Sequence, residues 1–163
     1  MTKTPKVYLE TTVFNYFFDR DRDGHLDTLE LFDAIKRGEF DAYTSEFTET
    51  ELNSAPEPKR GEMFKLIKKY KITVYKTNNK IDLLADVYLA EGMIPRSHPT
   101  DAAHIALASS KRLDYILSFN FKHINKPHVK TMSGIINSRF GLPGIKITTP
   151  NELINEKTTS FRH

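Results

Sequence analysis

Short β-branched and aromatic runs alternate along the chain with stretches in which apolar residues recur every three or four positions. KVYL (6–9), preceded by Pro5, is too short for a helix and reads as a buried strand, and Val13, Phe14, Phe17 and Phe18 then stand at helical spacing over 12–20. Leu26, Leu29, Phe32 and Ile35 mark a helix from Leu26 to Arg37, with Gly38 placed to end it. FDAYTS (40–45) predicts a second strand, and a helix from Ser45 or Glu46 is stopped by the two prolines of SAPEP (54–58). The same signals predict a helix over 58–69, a strand at ITVY (72–75) and a helix over 79–91 closed by Gly92. After the loop GMIPRSHP (92–99), TDAAHIALASSKR (100–112) is a helix capped by Thr100, and DYILSF (114–119) is a strand. GIKITTPNEL (144–153) suggests an edge strand followed by a short helix with Pro150 in its first turn. Strands separated by single helices imply right-handed crossovers, hence an α/β fold with a mostly parallel sheet of four to five strands and helices on both faces. With 163 residues, the chain has the size of one domain spanning 1–163.

Composition narrows the function. Hydrophobic residues at 39% and charged residues at 28% place the chain among soluble globular proteins. The lack of cysteine excludes disulfides and thiolate metal sites. No apolar run approaches the roughly 20 residues that cross a bilayer, and Met1–Lys6 lacks a secretory apolar core, so no membrane partner and a cytoplasmic location are expected. A net charge of +3 permits a polyanionic partner without demanding one. Basic residues cluster in KRGEFD (36–41), KLIKKYK (65–71) and FKHINKPHVK (121–130), whereas acids are scattered. No phosphate-cradling glycine loop, G-x-S-x-G elbow or nucleophilic Asp-x-Asp after the first strand occurs, which removes nucleotide-cofactor enzymes, nucleophilic hydrolases and phosphatases from the leading readings.

In open parallel sheets the functional crevice lies beyond the carboxyl ends of the strands. Glu10 follows the first strand; Glu46, Glu49 and Glu51 follow the second; Asp101 opens the helix before the fourth; Asn120 ends the fourth. Such a set of oxygen donors suits a hard cation, Mg2+ or Mn2+. Each also has an ordinary role: Asp101 suits the helix dipole, and Glu49 and Glu51 suit a solvated face. Glu10 is different, because a carboxylate set between a buried strand and an apolar helix needs a partner. His104, three residues beyond Asp101, shares its helix face; a metal-ligating pair is conceivable, but the surrounding Ala, Ile and Leu favour a partly buried histidine. His123 and His128 lie among lysines and read as surface, with His123 in reach of a phosphate.

VYLETTVFNYF, SEFTETEL and PTDAAHIALASSKRLDYILSFNFKHI resemble, in order and spacing, the PIN-domain nucleases, which include the VapC-type toxins. The resemblance runs from about residue 6 to 125, and ITTPNELI (147–154) is also similar. It implies a three-layer α/β/α domain that cleaves RNA with Mg2+ or Mn2+ held by a quartet of acidic positions. Those positions fall on Glu10, on Glu51 directly before Leu52, on Asp101 and on Asn120, with Ser118 at the hydroxyl position. This quartet is expected to be both catalytic and metal-binding, and Lys122, His123 and Lys126 to bind the RNA backbone. The chain departs from the family where Glu10 replaces the usual Asp and where Asn120 carries no charge. Three formal negative charges then suit one metal without substrate, a second arriving with the phosphate. A toxin would require an antitoxin whose segment enters the crevice. Tyr16, Phe17 and Phe18 suit either a homodimer face or the core. The alternative function is a catalytically weak PIN-fold module that binds RNA or a partner without turnover.

Overall fold

The computed structural model describes residues 3–161. Five parallel strands, β1 (Lys6–Leu9), β2 (Asp41–Ser45), β3 (Thr73–Tyr75), β4 (Tyr115–Leu117) and β5 (Lys146–Thr148), form a sheet in the order β3-β2-β1-β4-β5. The helices are α1 (Thr11–Phe18), α2 (His25–Lys36), α3 (Glu46–Leu52), α4 (Lys59–Lys69), α5 (Asn79–Ala90), α6 (Pro99–Ser110), α7 (Pro127–Arg139) and α8 (Pro150–Phe161).

Strand alternation divides the core in two. Val7, Tyr8 and Leu9 of the central strand are all fully buried. Val7 and Leu9, with Ala42 and Leu117, pack against Phe14, Phe32, Leu52, Met63 and Leu153 from α1, α2, α3, α4 and α8. Tyr8, Ile116 and Ile147 point the other way, onto Leu84, Tyr88, Ile105, Val129 and Ile136 from α5, α6 and α7. A sheet covered on both faces gives the three-layer α/β/α arrangement expected of near-continuous apolar strands.

The chain leaves β1 for α1 on one face and leaves β4 for α7 on the other, so adjacent strands diverge at their carboxyl ends. That switch point opens a crevice. Register fixes what enters it: Leu9 lies opposite Leu117, so Glu10 and Ser118 leave the sheet as neighbours. The Glu10 N–H donates to the Leu117 carbonyl at 3.1 Å, continuing the ladder one residue past the strand.

Two boundaries and one whole helix differ most from the sequence reading. α6 starts with Pro99, and His98 is its N-cap in place of Thr100, because proline is pre-set for a first helical position where no N–H donor is needed. α8 continues to Phe161, longer than the short helix expected. α7 has no counterpart in the sequence reading; its buried face combines Val129 and Ile136 with Ser133 and Asn137, so the helical period is concealed by polar residues. Asn137 is fully buried yet satisfied, exchanging hydrogen bonds with Tyr88 Oη, Ser109 Oγ and the Pro143 carbonyl. Among the described residues no helix is long and apolar enough to cross a membrane.

Candidate functional site

Glu10 is only 2% exposed and is the N-cap of α1. Its Oε1 accepts hydrogen bonds from Thr12 N at 3.2 Å, Thr12 Oγ1 at 2.5 Å and Ser118 Oγ at 2.7 Å. The helix terminus favours the anion as well. Burial is nonetheless the largest influence and, joined by repulsion from Glu51, pushes the carboxyl above its ordinary value, although His104, Thr12 and Ser118 pull it down. Thr12 Oγ1 also accepts the Phe119 N–H at 2.8 Å, tying α1 to the segment beyond β4.

Thr11, the other threonine of the pair, serves a different carboxylate. Glu51, on the last turn of α3, accepts at Oε1 from Thr11 Oγ1 at 2.7 Å and pairs through the same oxygen with His104 Nε2 at 2.7 Å. Behind it, His104 Nδ1 lies 2.6 Å from Tyr8 Oη, which in turn lies 2.6 Å from the α3 cap residue Ser45. Burial opposes a charged His104, but the Tyr8 oxygen and the carboxylates of Glu51 and Glu10 outweigh it and raise the imidazole to about 10. Burial likewise pushes Glu51 upward, and the hydrogen bond and charge of His104 with the Thr11 hydroxyl overcome it, leaving the carboxyl below its ordinary value. His104 is therefore fully buried, beyond the partly buried histidine of the sequence reading, and its surroundings favour the charged form. One metal-ligating atom from each of Glu10, Glu51 and His104 lies within 4.8 Å of the other two.

Asp101, in the first turn of α6, is half-buried, and burial pushes its carboxyl up. Asn120 Nδ2 donates to Asp101 Oδ1 at 3.3 Å, while Asn120 Oδ1 accepts the His123 N–H at 3.0 Å. The amide thus faces Asp101 with its donor, and its carbonyl is engaged by the loop. Asn120 N donates to Ser118 Oγ at 3.0 Å, so Glu10, Ser118, Asn120 and Asp101 form one hydrogen-bonded chain across the crevice. All four positions from the resemblance reach the same sheet edge, in two groups: Glu10 and Glu51 gather around His104, whereas Asp101 gathers with His98 and His123. Glu46 is elsewhere engaged, accepting the Thr77 N–H at 2.7 Å.

Lys122 is exposed, and Lys126 caps α7 with its Nζ 3.5 Å from the Lys122 carbonyl. His123 differs from the surface residue expected. Its ring stacks on His98 at 3.9 Å between centroids, and its Nε2 is buried without a hydrogen-bond partner among the described residues. Burial is also the main cause that lowers its pKa, with the His98 ring adding to it. Tyr16 stacks on Phe119 at 3.8 Å, and Phe17 packs edge-on against Phe18, Phe32 and Tyr70, so these aromatics are engaged within the chain. Tyr8, Thr11, Thr12 and His98 escaped the sequence reading; the signal for Tyr8 was a hydroxyl in an otherwise aliphatic strand.

Three carboxylates, Glu10 and Glu51 in one group and Asp101 in the other, lie along this edge, two of them shifted upward, with one buried imidazole among them. That surplus of acidic groups and the oxygen donors fit a divalent cation.

Residues 7–128 match the family model of the PIN domain. No curated protein sequence matches the chain. The crystal structure of VapBC2 from Rickettsia felis bound to a DNA fragment from their promoter is similar to it with a TM-score of 0.50, at 11% identity, over 87% of this chain and 96% of that one. At such identity the likeness is one of fold.

Proposed function

The chain belongs to the PIN-domain family, and on that premise we propose that it is a metal-dependent endoribonuclease whose site is Glu10, Glu51, Asp101 and Asn120. The observation that carries this reading is the buried Glu10 carboxylate, held at the sheet's switch point beside Glu51 and joined through Ser118 and Asn120 to Asp101. A divalent cation held by Glu10, Glu51 and Asp101, Mg2+ or Mn2+, would supply an activated water and positive charge at the scissile phosphate.

The surrounding residues prepare that set. Thr12 and Ser118 direct three hydrogen bonds at Oε1 of Glu10, leaving Oε2 as the oxygen to face a ligand. Thr11 and His104 fix Oε1 of Glu51 in the same manner. Asn120, through its amide donor, orients Asp101. His104 offsets part of the charge, which favours a single metal before substrate and a second with the phosphate. Lys122 and Lys126, with the backbone around His123, bind the RNA phosphates, an attraction that weakens steeply with salt.

The test is cleavage of a mixed-sequence RNA with Mn2+ by wild type, Glu10→Ala and Asp101→Ala. Loss of cleavage in both variants and on chelation is expected; unchanged metal-dependent cleavage in either would sink the mechanism.

A second reading is favoured by the His104–Glu51 ion pair, which already gives Glu51 a cation. The chain would then bind RNA or a protein without turnover, and RNA retention with no cleavage across Mg2+ and Mn2+ titrations would select it. The fold shared with VapBC2 supports a toxin role with a small antitoxin that places a segment in the crevice; co-purification with such a partner and loss of cleavage in the complex would test it.

A further inference from the structure

His98 and Asp101 stand three residues apart at the start of α6, and His123 arrives from the segment after β4 with its N–H held by Asn120. One metal-ligating atom from each of the three lies within 4.8 Å of the other two. Metal–nitrogen and metal–oxygen bonds of about 2.0–2.2 Å place neighbouring donors some 3–4 Å apart, so small side-chain rotations would close the set. A further observation points to a ligand: His123 Nε2 is buried with no hydrogen-bond partner among the described residues. The two imidazole rings stack at 3.9 Å between centroids, next to Asp101.

Two imidazoles and a carboxylate form a different donor set from the oxygen-rich group around Glu10 and Glu51. Nitrogen donors favour borderline transition ions over Mg2+, and three protein ligands leave coordination positions open. We propose that His98, Asp101 and His123 form a separate metal site for a divalent transition ion of the Zn2+ or Co2+ type, beside the carboxylate site and sharing Asp101 with it. This site stands whether or not the carboxylate site cleaves RNA.

The test is titration of the untagged chain with Co2+, followed by its visible absorption, and with Zn2+ by calorimetry, in the presence of saturating Mg2+. Wild type is expected to bind one Co2+ or Zn2+ under Mg2+, with an absorption band marking nitrogen ligation. His98→Asn and His123→Asn should each weaken that binding at least tenfold, while Glu10→Ala retains it. The His98 side chain lies at the surface, so His98→Asn should fold, and circular dichroism checks this for every variant. Zn2+ affinity unchanged in folded His98→Asn and His123→Asn, or lost in Glu10→Ala alone, would overturn the proposal; the second outcome would put the ion with Glu10, Glu51 and His104.

Discussion

Glu10 sits where strand physics and charge physics disagree: the end of a fully buried strand is a poor place for an anion, yet it is also a helix N-terminus. The conflict is eased by donors, chiefly Thr12, which bonds Glu10 with its hydroxyl and accepts from Phe119 with the same atom. Thr12→Val removes both and should destabilise the protein by about 1–3 kcal/mol, read as a lower urea midpoint at unchanged slope. His104 gives a pH signature. Its folded pKa, about 10, lies above the ordinary 6.5, so its contribution is complete below about pH 6.5 and is lost as pH rises through about 10. Melting temperatures of wild type should therefore fall across that interval relative to those of His104→Gln, whose profile should be flatter. Equal slopes would mean that His104 is neutral in the fold.

At the scale of elements, α7 docks through Val129 and Ile136 together with polar contacts that a hydrophobic pattern does not register. Asn137 joins α7 to α5 through Tyr88 and to α6 through Ser109, and burial pushes the Tyr88 hydroxyl up to about 12 although its own hydrogen bonds to Ser109 and Asn137 pull it down. Asn137→Leu keeps the bulk and removes the partners, leaving Tyr88 only the longer bond to Ser109 at 3.5 Å. A loss of about 2 kcal/mol is expected, with faster amide exchange in α7 than in α6. Uniform exchange across both helices would show that Asn137 is not what docks α7.

Across the whole molecule, the proposed cation site couples metal, proton and fold. Burial raises Glu10 and Asp101, so ionising them costs the folded state, and stability of the metal-free chain should decline as pH rises through their folded values. A cation that binds only the folded, ionised site reverses this. At a hundredfold excess over Kd, Mn2+ should add about 2.7 kcal/mol. The rise in melting temperature should be larger at pH 8 than at pH 5, because protons compete for the same oxygens, and should be lost in Glu10→Ala. A pH-independent rise that persists in Glu10→Ala would place the ion elsewhere.

The alternation of apolar runs determined the α/β class, the crossovers and the parallel sheet, because strand period, helix period and proline or glycine stops act locally. It also placed Glu10, Glu46, Glu49, Glu51, Asp101 and Asn120 at one edge, since parallel strands bring all their carboxyl ends to the same side, and the family resemblance singled out Glu51 among the glutamates after the second strand. Tertiary structure alone decided the rest. Asn137 could face the core only because it meets Tyr88 and Ser109, residues 49 and 28 positions away in the chain. The order β2-β1-β4 made Ser118 a neighbour of Glu10 across 108 residues, and helix packing delivered His104 to Glu51 and His98 to His123. Hydrogen bonds and ion pairs between distant residues depend on register and packing, whereas composition and period report only what a residue does among its near neighbours.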